Sequence, residues 1–242
     1  MMTIPTVVIV SFWRNDAARS LDARVAHLLA KTAPEGMRLR HLWVVGDSTD
    51  ATWDTLWYVA TAKSGWPDDP HPDMDLQVMR ADTHLLGEDT PTRRRRGAAT
   101  ATQAFAAIRA DDHFVLLHES DLQTPIDIVA KLDGPWGRPG DAEAHAGWPV
   151  LGEPPVFYDI YAYRHRDGRL FRADEPQPAH RFEVGSFGSC WFAPAALVRN
   201  RVLGEDCVVD LCRQWKREGV HLWVDPTVTV VQPVDLWTQT AF

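Results

Sequence analysis

Apolar residues in this chain come in short runs separated by polar turns, and between the runs they recur at helical spacing. Residues 6–10, TVVIV, form a β-branched run that predicts a first strand. Asn15 or Asp16 can cap a following helix whose apolar face is Leu21, Val25, Leu28 and Leu29. After a break at Pro34-Glu35-Gly36, residues 39–45 predict a second strand. It runs into the turn Gly46-Asp47-Ser48-Thr49-Asp50 and a helix over 53–62. A Pro- and Asp-rich loop over 63–75 leads to a third short strand, 76–79, and an alanine-rich stretch predicts a helix over 98–109. Phe114-Val115-Leu116-Leu117 then reads as a buried strand. Behind Pro125, residues Ile126, Ile128, Val129 and Leu132 space out as one face of a helix. This β-α-β-α alternation predicts an α/β protein with a mostly parallel central sheet flanked by helices.

The pattern loosens after residue 132. Residues 133–155 are rich in Gly, Pro and Ala and read as a long loop. Residues 156–163 predict a strand, 164–168 a turn, 169–172 a return strand and 174–181 a further loop. The segment FEVGSFGSCWFAP sets Gly185 and Gly188 among apolar residues, a pattern suited to close approach of backbone to a ligand. Glu205-Asp206 precedes a helix over 207–218, closed by Gly219, and 221–224 and 227–231 predict terminal strands.

Composition narrows the class. The 242 residues, 45% hydrophobic, suffice for a sizeable core. A net charge of −8 disfavours a polyanionic partner such as DNA, although a local basic patch can act against that balance. Three cysteines, Cys190, Cys207 and Cys212, show neither a disulfide framework nor metal-type pairing. The run Val7 to Val10 has no basic region before it and reads as a strand, not a signal peptide. With no run near the ~18 apolar residues of a membrane span, a cytoplasmic protein is expected. Among the eleven tryptophans, Trp66, Trp136 and Trp148 lie near Gly, Pro or Asp, where aromatics can serve as loop stacking platforms or as ordinary packing.

Two segments carry chemistry. Glu119 and Asp121 follow the strand at 114–117, at the end where open α/β sheets bind ligands. Two carboxylates so spaced suit a hard divalent cation shared with a diphosphate, and equally suit capping of the next helix. The run Arg93-Arg94-Arg95-Arg96 at a helix start opposes the macrodipole. An anionic ligand such as a diphosphate would account for Arg93 and Arg96 there, as would a solvated basic turn.

Taken together, these segments resemble nucleotide-sugar glycosyltransferases of the glycosyltransferase-A fold, in particular the family-two group. Gly46-Asp47-Ser48-Thr49-Asp50 is similar to that group's Asp-Gly-Ser-Thr-Asp turn. Glu119-Ser120-Asp121-Leu122-Gln123-Thr124-Pro125 is similar to the Asp-Ala-Asp-Leu-Gln-x-Pro of dolichol-phosphate mannose synthases. Glu205-Asp206 and its helix resemble the group's Glu-Asp motif, and FYDIYAYRHRDG resembles a stretch of capsule-associated mannosyltransferases. The resemblance implies one Rossmann-like domain over 1–242, with a nucleotide-binding half at 1–132 and an acceptor-side half at 133–242. It implies a hexosyl- or pentosyltransferase using Mn2+ or Mg2+ and a UDP- or GDP-sugar. Asp121 would ligate the metal, with Glu119 on the metal, its water or the ribose. Asp47 would accept from the nucleobase, with Ser11 and Arg14 on the neighbouring loop. Asp206 would be the catalytic base, Asp159 and Arg164 would contact donor sugar or acceptor, and Gly185 and Gly188 would line the sugar site. The acceptor is left open between a glycan and a nucleic-acid base.

One departure stands out. Such enzymes often present a histidine after the last strand as a further metal ligand, and this chain has Gln232 there, with His118 and His221 as other candidates. Two further readings keep the fold. A sugar-phosphate nucleotidyltransferase would need a Gly-rich loop after the first strand, where SFWRND stands. A catalytically degenerate binding module would tolerate Glu119 and Gln232.

Overall fold

The computed structural model describes residues 4–15, 21–63, 75–85, 90–133, 140, 142–151, 156–157, 162–172, 174–188 and 190–232. The first half follows the hydrophobic pattern. Strands β1 (Thr6–Trp13), β2 (Arg38–Gly46), β3 (Asp75–Ala81) and β4 (Phe114–His118) are parallel and lie in the order β3-β2-β1-β4. Helices α1 (Leu21–Leu29), α2 (Thr52–Lys63) and α3 (Thr90–Ala106) lie between them in sequence. Side chains alternate across β1. Val8 and Val10 pack with Ala101, Ala104 and Phe105 of α3, whereas Val7, Ile9 and Trp13 pack with Leu28 of α1 and Leu56 of α2. The sheet is therefore buried on both faces.

The second half departs from the mostly parallel sheet expected. After α4 (Ile128–Asp133) come β5 (Glu143–Leu151), β6 (Val156–Phe157), β7 (Arg164–His165), β8 (Phe182–Ser186) and β9 (Cys190–Pro194). Two helices, α5 (Ala195–Val198) and α6 (Val208–Arg217), precede β10 (His221–Gln232). The sheet continues β4-β9-β5-β10-β8-β7, with β6 on β5, and it is mixed. The connections account for part of this. A parallel pair needs a crossover, usually helical. No helix is found between α4 and α5 among the described residues, and there the strands pair antiparallel. Strand β9 also pairs antiparallel with β4. Where α5 and α6 intervene, β10 pairs parallel with β5 on one side and antiparallel with β8 on the other.

Three expected elements change. Part of the loop expected over 133–155 is β5, a central strand. Its sequence EAHAGWPVL lacks the β-branched richness of a strand because its neighbours crowd it. A Cβ on Gly147 would lie 2.6 Å from the Val228 carbonyl, where β10 bulges between Asp225 and Thr229. Trp148 is a core residue packed edge-on and tilted among Phe157, Phe171 and Phe182, not a loop platform. Trp66 and Trp136 lie outside the described residues. The two terminal strands are one, β10, and the return strand at 169–172 reduces to a single bridge between Arg164 and Leu170.

Candidate functional site

The carboxyl ends of β1, β2 and β4 open onto a cleft of about 320 Å3. Phe12, Trp13 and Arg14 enter it from β1, Gly46 from β2, and Leu117, Glu119, Ser120 and Asp121 from β4 and the loop after it. Arg93, Arg96, Gly97 and Thr100 of α3 form another wall. Arg24 of α1 and Cys207-Val208 at the start of α6 complete it. The amino end of α6 thus faces the cleft, which favours an anion there.

The acid segment is tied to the end of β10. Gln123 exchanges two backbone hydrogen bonds of 2.8 Å with Val231. That pairing brings the last residue of β10 alongside, and the Gln232 amide donates to Asp121 Oδ2 at 2.9 Å. Gln232 therefore contacts the expected metal ligand, in the position where the resemblance implied a histidine. His221 sits at the opposite end of β10, bonded to Glu183 at 2.9 Å.

Helical spacing sorts the arginine run. The helix starts at Thr90, earlier than expected, so all four arginines fall within its first two turns. Arg93 and Arg96, three apart, share the cleft face. Arg94 and Arg95 turn the other way, 3.9 Å from Asp206 and 3.4 Å from Glu205. Arg96 is buried and donates to the Leu85 carbonyl at 3.0 Å.

On the β2 side, Asn15 in the left-handed region (φ 50°) ties the first loop to the Gly46–Asp50 turn. Its Oδ1 accepts from the Thr49 N–H at 2.9 Å, and its own N–H donates to Ser48 Oγ at 3.1 Å. Asp47 accepts from the Thr83 N–H at 3.0 Å and from the Thr83 hydroxyl. Burial acts to raise the Asp47 pKa, but these hydrogen bonds outweigh it and hold the carboxyl below its usual value.

The other expected residues that the structure describes stand apart from the cleft wall. Ser11 is fully buried within β1. Asp206 lies one residue before the wall, 2.8 Å from Arg213. Arg164 donates to the Gly168 carbonyl at 3.3 Å within its own turn. Gly185 is buried against β7, where an added Cβ would lie 2.4 Å from the His165 carbonyl. Gly188 is buried just before β9, and Asp159 lies outside the described residues.

Beneath the acid loop is a buried polar node. His118 donates from Nδ1 to the Glu119 carbonyl at 2.8 Å and accepts at Nε2 from the Thr124 hydroxyl at 2.8 Å. Lys31, 4% exposed, donates to the Thr124 and Pro125 carbonyls at 2.9 and 3.2 Å and to His27 at 2.8 Å. Burial and then the Lys31 charge push His118 down to about 3. The same two causes push His27 to about 4, and burial lowers Lys31 to about 8. Between pH 6.5 and about 3 the unfolded chain therefore binds the His118 proton and the native chain does not. Stability is expected to fall with acidification through that window, by up to roughly 1.4 kcal/mol per pH unit from His118. His27 acts in the same direction. Urea unfolding across this range should show a shallower slope in His118→Gln. An unchanged slope would remove His118 as its source.

Two carboxylates in the cleft, with Gln232 on one oxygen of Asp121, form a sparse donor set. Among the described residues no three His, Cys, Asp or Glu side chains come together as a metal cage. The set fits a Mg2+ or Mn2+ ion that takes its remaining ligands from diphosphate and water.

No family model and no curated protein matches the sequence. Solved structures do match in shape. GalNAc-T7, solved with UDP, GalNAc and Mn2+, superposes with a TM-score of 0.60 at 12% identity, over 95% of this chain and 44% of its own. The mannosyltransferase PcManGT from Pyrobaculum calidifontis, solved with GDP-Man and Mn2+, gives 0.58 at 16%, over 95% and 57%. A mycobacterial protein gives 0.56 at 14%, over 93% and 67%. The chain spans about half the length of the first two. It has the glycosyltransferase-A fold: a mixed α/β domain built on one large sheet. No helix among the described residues is long and apolar enough to cross a membrane.

Proposed function

We propose that this chain is a metal-dependent glycosyltransferase that takes a sugar from a UDP- or GDP-sugar. The observation that carries the reading is the cleft, where Glu119 and Asp121 stand with Arg14, Arg93 and Arg96 at the carboxyl end of the parallel strands. Neighbours of the same fold hold UDP or GDP-Man with Mn2+. In this reading Asp121 and Glu119 hold the cation. A divalent ion there supplies Lewis-acid stabilisation to the departing diphosphate. Arg93 and Arg96, with the α6 amino end, bind its oxygens. Asp47 and Arg14 take the nucleoside side. The resemblance of ESDLQTP to mannose synthases of family two belongs with this reading. Asp206 serves as acceptor base only if it leaves its pair with Arg213.

That same pair supports a second reading, a nucleotide-sugar-binding module without turnover. One experiment separates them. With Mn2+ or Mg2+, saturating UDP- or GDP-sugar is expected to raise the melting temperature, about 2.7 kcal/mol of stabilisation at a hundredfold excess over Kd. Slow metal-dependent release of UDP or GDP should accompany it. Stabilisation without release selects the binding module. Neither effect with any common nucleotide sugar refutes both.

A further inference from the structure

Three side chains of α1 and the residues after it follow the acid loop. Arg24 donates from Nε to the Ser120 carbonyl at 2.9 Å and from a terminal nitrogen to Ser120 Oγ at 2.5 Å. His27 Nε2 accepts from the Thr124 N–H at 3.2 Å, and Lys31 holds the Thr124 and Pro125 carbonyls. The spacing 24, 27, 31 puts all three on one side of a helix, a polar stripe beside its apolar face. Arg24 is the member that reaches the cleft, and its guanidinium lies 5.3 Å from the centre of the Trp13 ring. Ser120 is the residue between the two carboxylates. A two-point bond to its carbonyl and hydroxyl fixes the backbone from which both Glu119 and Asp121 project.

We propose that Arg24 is a positioning residue for the metal site, aiming Glu119 and Asp121 through its two bonds to Ser120. The inference rests on the transferase reading above. It makes α1, rather than the strand end alone, the element that sets the carboxylate geometry. Partners of this kind, one step removed from the ligands, usually govern metal affinity by 10–100-fold.

The test is Mn2+ affinity, read from the free-ion EPR signal in the presence of UDP or GDP, alongside nucleotide affinity in EDTA. Arg24→Ala is expected to weaken Mn2+ binding about 10-fold. Ser120→Ala removes one of the two bonds without changing the cleft's charge. Because the Arg24 bond to the Ser120 carbonyl remains, it is expected to weaken Mn2+ binding by less than Arg24→Ala does, while leaving metal-free nucleotide affinity unchanged. The double variant should be no weaker than Arg24→Ala, because the two residues act through one contact. Multiplied effects in the double variant overturn the proposal, since Arg24 would then act on the ligand directly. If Arg24→Ala does not fold, Ser120→Ala decides alone, and wild-type Mn2+ affinity in it overturns the proposal. A wild-type chain that binds no Mn2+ with either nucleotide instead overturns the transferase reading, and this inference with it.

Discussion

Replacing Asp121 with Asn is expected to lower metal-dependent donor hydrolysis by on the order of 10²–10³-fold, the loss typical when one group stabilising a developing charge is removed. The substitution keeps the shape. The Gln232 amide, 2.9 Å from Oδ2 in the native chain, can still donate to the Asn carbonyl oxygen, so the β10 end and the acid loop stay joined. What goes is the negative charge of one of two carboxylates in a cleft that also holds Arg93 and Arg96. Charge at the cation weakens while the two guanidinium groups proposed to bind the diphosphate remain. The expected signature is a loss of rate and of Mn2+ affinity with metal-free UDP or GDP affinity kept. Hydrolysis at the wild-type rate would show that Asp121 is not the ligand.

The largest stability effect is expected at Asp112, at the amino ends of the strands, away from the cleft. Arg40 of β2 and Asp112, just before β4, form a two-point ion pair of 3.0 and 2.5 Å with both side chains 1% exposed. Asp112 also accepts the Arg109 N–H at 2.7 Å, and Arg40 reaches Gln77 at 3.3 Å. Asp112→Ala strands a guanidinium that stays charged in a site closed to water. A loss of about 3–5 kcal/mol follows, a large share of the roughly 5–15 kcal/mol that holds a domain folded. Urea unfolding measures it, and a loss below about 1 kcal/mol would show that water reaches Arg40. Replacing both partners with apolar residues of similar volume should recover most of the stability, because no buried charge then lacks a partner.

Much of the first half was legible in the sequence because its signals are local. A β-branched run, a cap and a helical apolar face each lie within a dozen residues, and they place β1, α1, β2, α2 and β4 close to where they are found. The acids at 119 and 121 were legible for the same reason, as residues directly following a buried strand. The β5 strand was not. Ala144, Ala146, Gly147 and Pro149 resemble a loop in isolation, and only the crowding by β10 explains why small residues stand there. The arginine run was half legible. Its charge pointed to an anion, but the helix start at Thr90 decided that Arg93 and Arg96 face the cleft and that Arg94 and Arg95 face the acids before α6.

The sequence by itself determined the alternation of elements in the first half and the chemical types available at the strand ends. Periodicity and capping are short-range physics. The tertiary structure decided which of those groups meet. Gln232 lies 111 residues from Asp121 and Arg24 lies 96 from Ser120, and neither contact has any trace in local pattern. Each exists because strand pairing and helix packing close long loops of chain. That closure turns two acids in sequence into a pair aimed from three sides.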